Sequence, residues 1–192
     1  MKKSVIAVLA LSLMLSASGA SANLIGLFGD PEALTCAADF PVYGYTDVYV
    51  TAVLSDIASI TAAEFRIDGI VQPNPLVIIT PVWNSPLTIG DALGDGFSIA
   101  FTVAQNGPMV VLGSLQVFPI NAAWQLPDTM WCIVETNDSG VLALVDGDFV
   151  TIPCDGWCFV ADCAVGGPHG NCDCLDTIAT EETSWGAVKS LY

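Results

Sequence analysis

Apolar residues in this chain recur at every second position in short runs, and Gly, Pro, Asn or Asp closes each run. This pattern constrains the fold more than any other feature. Residues two apart share one face of a strand, whereas a helix groups them at three and four. Over residues 46–54, Val48, Val50, Ala52 and Leu54 hold one parity, and Tyr49, Thr51 and Val53 the other. Over 62–70, Ala63, Phe65, Ile67 and Gly69 alternate with Glu64, Arg66 and Asp68, which sets the arginine between two carboxylates on the solvent face. Further strands are predicted over 24–28, 97–104, 109–118, 129–135, 141–145 and 149–152. The continuous β-branched run 76–83 reads as a central strand. Residues 90–96 form a Gly/Asp turn region, and Asn106-Gly107 is a strong turn signal. Asn137-Asp138-Ser139-Gly140 reads as the turn of a hairpin. Eight or nine such strands without an amphipathic helix between them indicate an all-β fold, an antiparallel β-sandwich or jelly roll.

Ahead of the strands, Lys2 and Lys3 precede an apolar run over 5–15, and Ala20-Ser21-Ala22 supplies small residues in a cleavage pattern. Residues 1–22 therefore read as a signal peptide, with Asn23 as the new N-terminus. The run is too short for a spanning helix, so no stable membrane insertion is expected after cleavage. The chain is expected to be secreted by a bacterium, to the extracellular space, the cell surface or the periplasm. The net charge of −16 becomes 2 − 20 = −18 once Lys2 and Lys3 are removed. Nucleic acid is excluded as a partner on that charge, because phosphate binding needs clustered Lys and Arg. Anionic membranes are disfavoured on the same ground.

Composition changes at Pro153. The expected organisation is signal peptide 1–22, β-sandwich 23–152, and a Cys-rich irregular tail 153–192. All seven cysteines (Cys36, Cys132, Cys154, Cys158, Cys163, Cys172 and Cys174) are disulfide candidates in an exported chain. Five of them follow C-x3-C-x4-C-x8-C-x-C, which lacks the CxxC pair of a zinc site even with His169 as a further ligand. An odd count leaves one thiol unpaired or bridges two chains. Cys132, inside a strand, reads either as an inert buried thiol or as the partner of Cys36.

Two acidic turns carry carboxylates without counter-ions, Asp91 with Asp95 and Asp146 with Asp148. Calcium is the one cofactor such loops suggest, since hard cations take several oxygen ligands; Asp and Gly also build ordinary turns for backbone reasons. Catalytic signals are sparse. The single histidine, His169, lies in a glycine-rich loop, and a hydrolase triad needs a placed base. Glu64 and Glu135 could only formally make a glycosidase pair. Phosphate loops and dinucleotide fingerprints are absent. No enzyme activity is expected.

The stretch 47–69, DVYVTAVLSDIASITAAEFRIDG, resembles the opening strands of cohesin modules, and the segments Phe97-Ser98-Ile99-Ala100-Phe101 and 112–118 resemble a later strand pair of that family. The resemblance implies a non-catalytic sandwich that holds proteins or carbohydrates at bacterial surfaces through a sheet face. The Cys-rich tail departs from cohesins, so dockerin binding is not carried over. The last twelve residues, EETSWGAVKSLY, resemble the ends of a group of secreted bacterial proteins. Thr183 or Ser184 can cap a short C-terminal helix there. Trp185, Val188, Leu191 and Tyr192 would then serve as a docking or sorting tail.

The expectation is a binding or structural module for surface attachment or extracellular assembly, with a protein or carbohydrate partner at the cell exterior. A carbohydrate-binding module is the alternative, with Tyr43, Tyr45, Tyr49, Trp83 and Trp124 as candidate platform residues. A calcium-binding protein or a glycoside hydrolase ranks below both.

Overall fold

The computed structural model describes residues 23–124 and 129–161. The strands are β1 (Leu24–Phe28), β2 (Ala37–Ala38), β3 (Thr46–Val53), β4 (Ser59–Asp68), β5 (Val77–Trp83), β6 (Leu87–Asp91) and β7 (Gly96–Asn106). They continue with β8 (Met109–Pro119), β9 (Thr129–Val134), β10 (Ala143–Asp146), β11 (Thr151–Pro153), β12 (Asp155–Gly156) and β13 (Cys158–Ala161). One 3₁₀ turn, Ala122–Trp124, follows β8. Among the described residues no helix is long and apolar enough to cross a membrane.

Two sheets face each other. The first runs β12-β1-β3-β8-β5. The second is centred on β4, with β7 and then β6 along one flank, and β10-β11 and β9-β13-β2 along the other. The alternation read in the sequence sets what lies between them: Ile25, Leu27, Val48, Val50, Leu112, Leu115 and Val117 from the first sheet meet Ile60, Phe65, Ile67, Ile99 and Leu144 from the second, all at 2% exposure or less. Aromatic rings close both ends of this core. Trp83 stacks on Phe97 at 4.2 Å with Phe65 edge-on to both. At the other end Phe40 packs against Trp124, Trp131 and Phe159.

Several expectations change. The run expected to be a central strand is an edge: β5 pairs only β8, burying Val77 and turning Ile78, Thr80 and Val82 to solvent. An edge tolerates Pro81, which has no N–H for a further neighbour. The Asn106-Gly107 turn forms, but β7 and β8 enter opposite sheets, because β3 and β5 occupy both flanks of β8. Residues 137–140 do not close a hairpin. β9 and β10 lie end to end along one flank of β4, against residues 66–68 and 60–64 respectively, and 135–142 is an excursion between them.

The sheets are mixed and not purely antiparallel, because β12 runs parallel to β1 and β13 parallel to β2. The sandwich also continues to Ala161, past the expected boundary at Ile152. Phe159 and Val160 are buried, so part of the Cys-rich segment contributes to the core. Only glycine fits at Gly156, where a Cβ would sit 1.9 Å from the Ile133 carbonyl oxygen. The signal peptide, the rest of the tail and its helix with Trp185, Val188, Leu191 and Tyr192 lie outside the described residues.

Cysteine pairing partly follows the expectation. Cys132 and Cys158 are directly opposed on β9 and β13 and form a disulfide, with Cα atoms 4.1 Å apart. Cys132 is thus neither an inert thiol nor the partner of Cys36. Cys36 is also disulfide-bonded, and its sulfur accepts a hydrogen bond from Trp157 Nε1 at 3.2 Å. Cys154 is the free thiol among the described residues. Burial first, and then the adjacent Asp155 charge, push it up to about 12. Cys163, Cys172, Cys174 and His169 lie outside the described residues.

Candidate functional site

Strands β6, β7, β4, β10 and β11 present a continuous outer face, and their registers define its rungs. One rung runs Leu87, Ala100, Ala62, Val145, Thr151. The next runs Ile89, Ser98, Glu64, Ala143, Pro153. At about 4.8 Å between strands, each rung is about 20 Å across. Glu64 is the one ionisable group among these ten side chains. Small residues keep the middle of the face flat, while Leu87 and Ile89 project at its edge, 50% and 79% exposed.

Glu64 is held in place. Its Oε1 accepts hydrogen bonds from the hydroxyls of Ser139 and Thr136, both on the 135–142 excursion. That excursion is tied down again at Asn137, whose backbone N–H donates to the Asp95 carbonyl at 2.6 Å and whose Nδ2 donates to Asp95 Oδ1 at 3.1 Å. Arg66 is the sole cation among the described residues. It does not bridge two carboxylates: Nη1 pairs with Asp68 at 3.1 Å and Nε donates to the Glu135 carbonyl at 3.3 Å, while Glu64 is engaged elsewhere. Arg66, Val134, Glu135, Thr136, Asn137 and Leu142 line an open depression of about 550 Å³ beside the face.

In the acidic turns, two carboxylates accept backbone N–H groups. Asp91 Oδ1 accepts from the Leu93 N–H, and Asp146 Oδ1 from the N–H groups of Asp148 and Val150. Asp95 is the partner of Asn137. Among the described residues no three metal-ligating side chains come together, so the four aspartates remain in two separate turns.

The five candidate platform aromatics do not share one surface. Trp83 is half-buried against Phe97 at the edge of the core, and half-buried Trp124 packs on Phe40. Tyr43 and Tyr45 are exposed on the loop before β3, 72% and 76%, and the Tyr45 ring lies tilted against Phe118 at 4.6 Å. Tyr49 is half-buried on the outer face of β3.

The β6 strand of this face went unread in the sequence, because Gly90 and Asp91 at its end fall in the Gly/Asp turn region 90–96. A signal was present. Leu87-Thr88-Ile89 and Phe97-Ser98-Ile99 alternate on either side of a Gly/Asp turn, the pattern of a hairpin with a longer loop.

Solved structures similar to this chain are cohesin modules. One belongs to a family 33 glycoside hydrolase of Clostridium perfringens, with a TM-score of 0.46 and 7% identity, over 74% of this chain and 98% of that one. Another is the sixth cohesin of scaffoldin B from Acetivibrio cellulolyticus, solved in complex with a Cel5 dockerin, with a TM-score of 0.45 and 10% identity, over 75% and 100%. CaCohA2 from Clostridium acetobutylicum gives a TM-score of 0.38 and 12% identity, over 77% and 95%. No family model matches the chain, and no curated protein does.

Proposed function

We propose that this chain is an exported, non-catalytic module that docks a folded protein on the outer face of β6-β7-β4-β10-β11, for surface attachment or extracellular assembly. The observation that carries the reading is the pair of rungs with Glu64 as their one ionisable side chain. Leu87 and Ile89, 50% and 79% exposed beside a flat row of small residues, keep apolar area in water that does not favour it. The core of a protein interface is of the same apolar kind. The two rungs, about 20 Å by about 7 Å, form the centre of a contact, since an ordinary interface takes about 800 Å² from each partner. The partner expected is one with a complementary uncharged, aliphatic surface. The Cys132–Cys158 disulfide supports export, since such bonds persist in oxidising compartments.

The test is retention of labelled protein on cells and extracellular material of the source organism, with excess soluble neutral polysaccharide as competitor so that protein docking alone is read. Ala100→Arg and Ile89→Lys each place a cation on the face without touching the core. Retention should fall to background in both, with the melting temperature unchanged. Wild-type retention in both variants would refute the reading.

A further inference from the structure

The other sheet carries a second surface of different chemistry. On its outer face Thr80, Gln116 and Asp47 stand side by side on β5, β8 and β3. At about 4.8 Å per strand the three side chains span about 10 Å. None of them has a hydrogen-bond partner among the described residues, and all are open to solvent or half-open. An aromatic group borders this polar rung on each side. Phe118, with Tyr45 tilted against it at 4.6 Å, lies one rung away in one direction. Tyr49 lies one rung away in the other. Tyr45 sits on a braced loop, because the Tyr43 N–H donates to the Pro119 carbonyl at 2.8 Å and the Gly44 N–H to the Pro41 carbonyl at 2.9 Å.

We infer that this face binds a neutral polysaccharide chain, with Asp47, Gln116 and Thr80 hydrogen-bonding its hydroxyls and Tyr45, Phe118 and Tyr49 packing on its rings. A sugar ring has an apolar C–H face and a belt of hydroxyls that both donate and accept. Its recognition calls for aromatic faces next to fixed polar groups. Carboxylate, carboxamide and hydroxyl in one row supply acceptors and donors together. Acidic polymers are disfavoured: this face has no cation, and Arg66 is on the opposite sheet. The inference is independent of the protein-docking reading, which uses the other sheet.

The experiment is native gel electrophoresis of the purified protein through gels containing hydroxyethylcellulose, xylan or glucomannan, with polygalacturonate as the acidic arm. At least one neutral polymer should retard the wild type. Asp47→Ala combined with Gln116→Ala, and separately Tyr45→Ala, should weaken that retardation at least tenfold. Ala100→Arg should leave it unchanged, so failure of the docking reading stays distinguishable. Unchanged circular dichroism confirms that the variants fold. The inference is overturned if no neutral polymer retards the protein, if only polygalacturonate does, or if the variants run as wild type. It is also overturned if size-exclusion chromatography shows a dimer that these variants dissolve, because the face would then be occupied by a second copy.

Discussion

Removing the Cys132–Cys158 bridge tests whether the last described strand depends on a covalent tie. The two cysteines are 26 residues apart and sit opposite each other on β9 and β13. In the loop-closure model the bridge removes about 2.1 + 1.5R ln 26, or about 12 cal/mol/K, from the unfolded chain. At 25 °C that is about 3.5 kcal/mol. For a chain of this size each kcal/mol shifts the melting temperature by about 2–4 °C, so Cys132→Ala with Cys158→Ala should melt about 7–14 °C lower. The assay is urea unfolding of the non-reduced protein, wild type against the double variant. If the bridge acts on the unfolded state, freeing the loop exposes more surface and the denaturant slope should rise along with the loss of stability. A loss below about 1 kcal/mol would refute the reasoning on magnitude. A full loss with an unchanged slope would refute it on mechanism, by placing the effect in native packing.

Two further outcomes follow from buried groups. The Thr51 hydroxyl is buried without a hydrogen-bond partner among the described residues, under a region of the first sheet where Phe28 and Trp157 cover Gly26. Thr51→Val should therefore stabilise the protein by about 1 kcal/mol in the same urea assay, and a loss would show that the hydroxyl is satisfied. Cys154, pushed up to about 12 by burial and then by Asp155, should react with iodoacetamide in the native protein at pH 8 at least about a hundredfold more slowly than in the urea-unfolded chain, followed by peptide mass spectrometry, because the thiolate is the nucleophile. Since the unfolded thiol loses its proton first, this group lowers stability as pH rises from about 9 to about 12. Equal alkylation rates in the two states would refute its burial.

Period-two alternation was enough to place most of the strands and to say which residues face inward. Val48, Val50, Phe65 and Ile67 are buried as their parity requires. Alternation is a local property of a strand, so it can be read without knowing the neighbours. Pairing is not local. Nothing in 76–83 tells whether one or two strands flank it, and the second flank of β5 is open only because the chain leaves for the other sheet at residues 84–86. The same holds for 137–140, whose turn residues close no hairpin because β4 offers a longer flank for both β9 and β10. The pairing of Cys132 with Cys158, and not with Cys36, was decided by the register of β9 on β13.

Both proposed surfaces belong to this second kind of information. Ala62, Ala100 and Leu87 are scattered in sequence, as are Asp47, Thr80 and Gln116. Each set becomes a row only when hydrogen bonding aligns separate strands. The sequence by itself determined an acidic, alternating all-β chain. Which of its side chains stand next to one another depended on strand order and register, which are set by contacts between segments far apart in the chain.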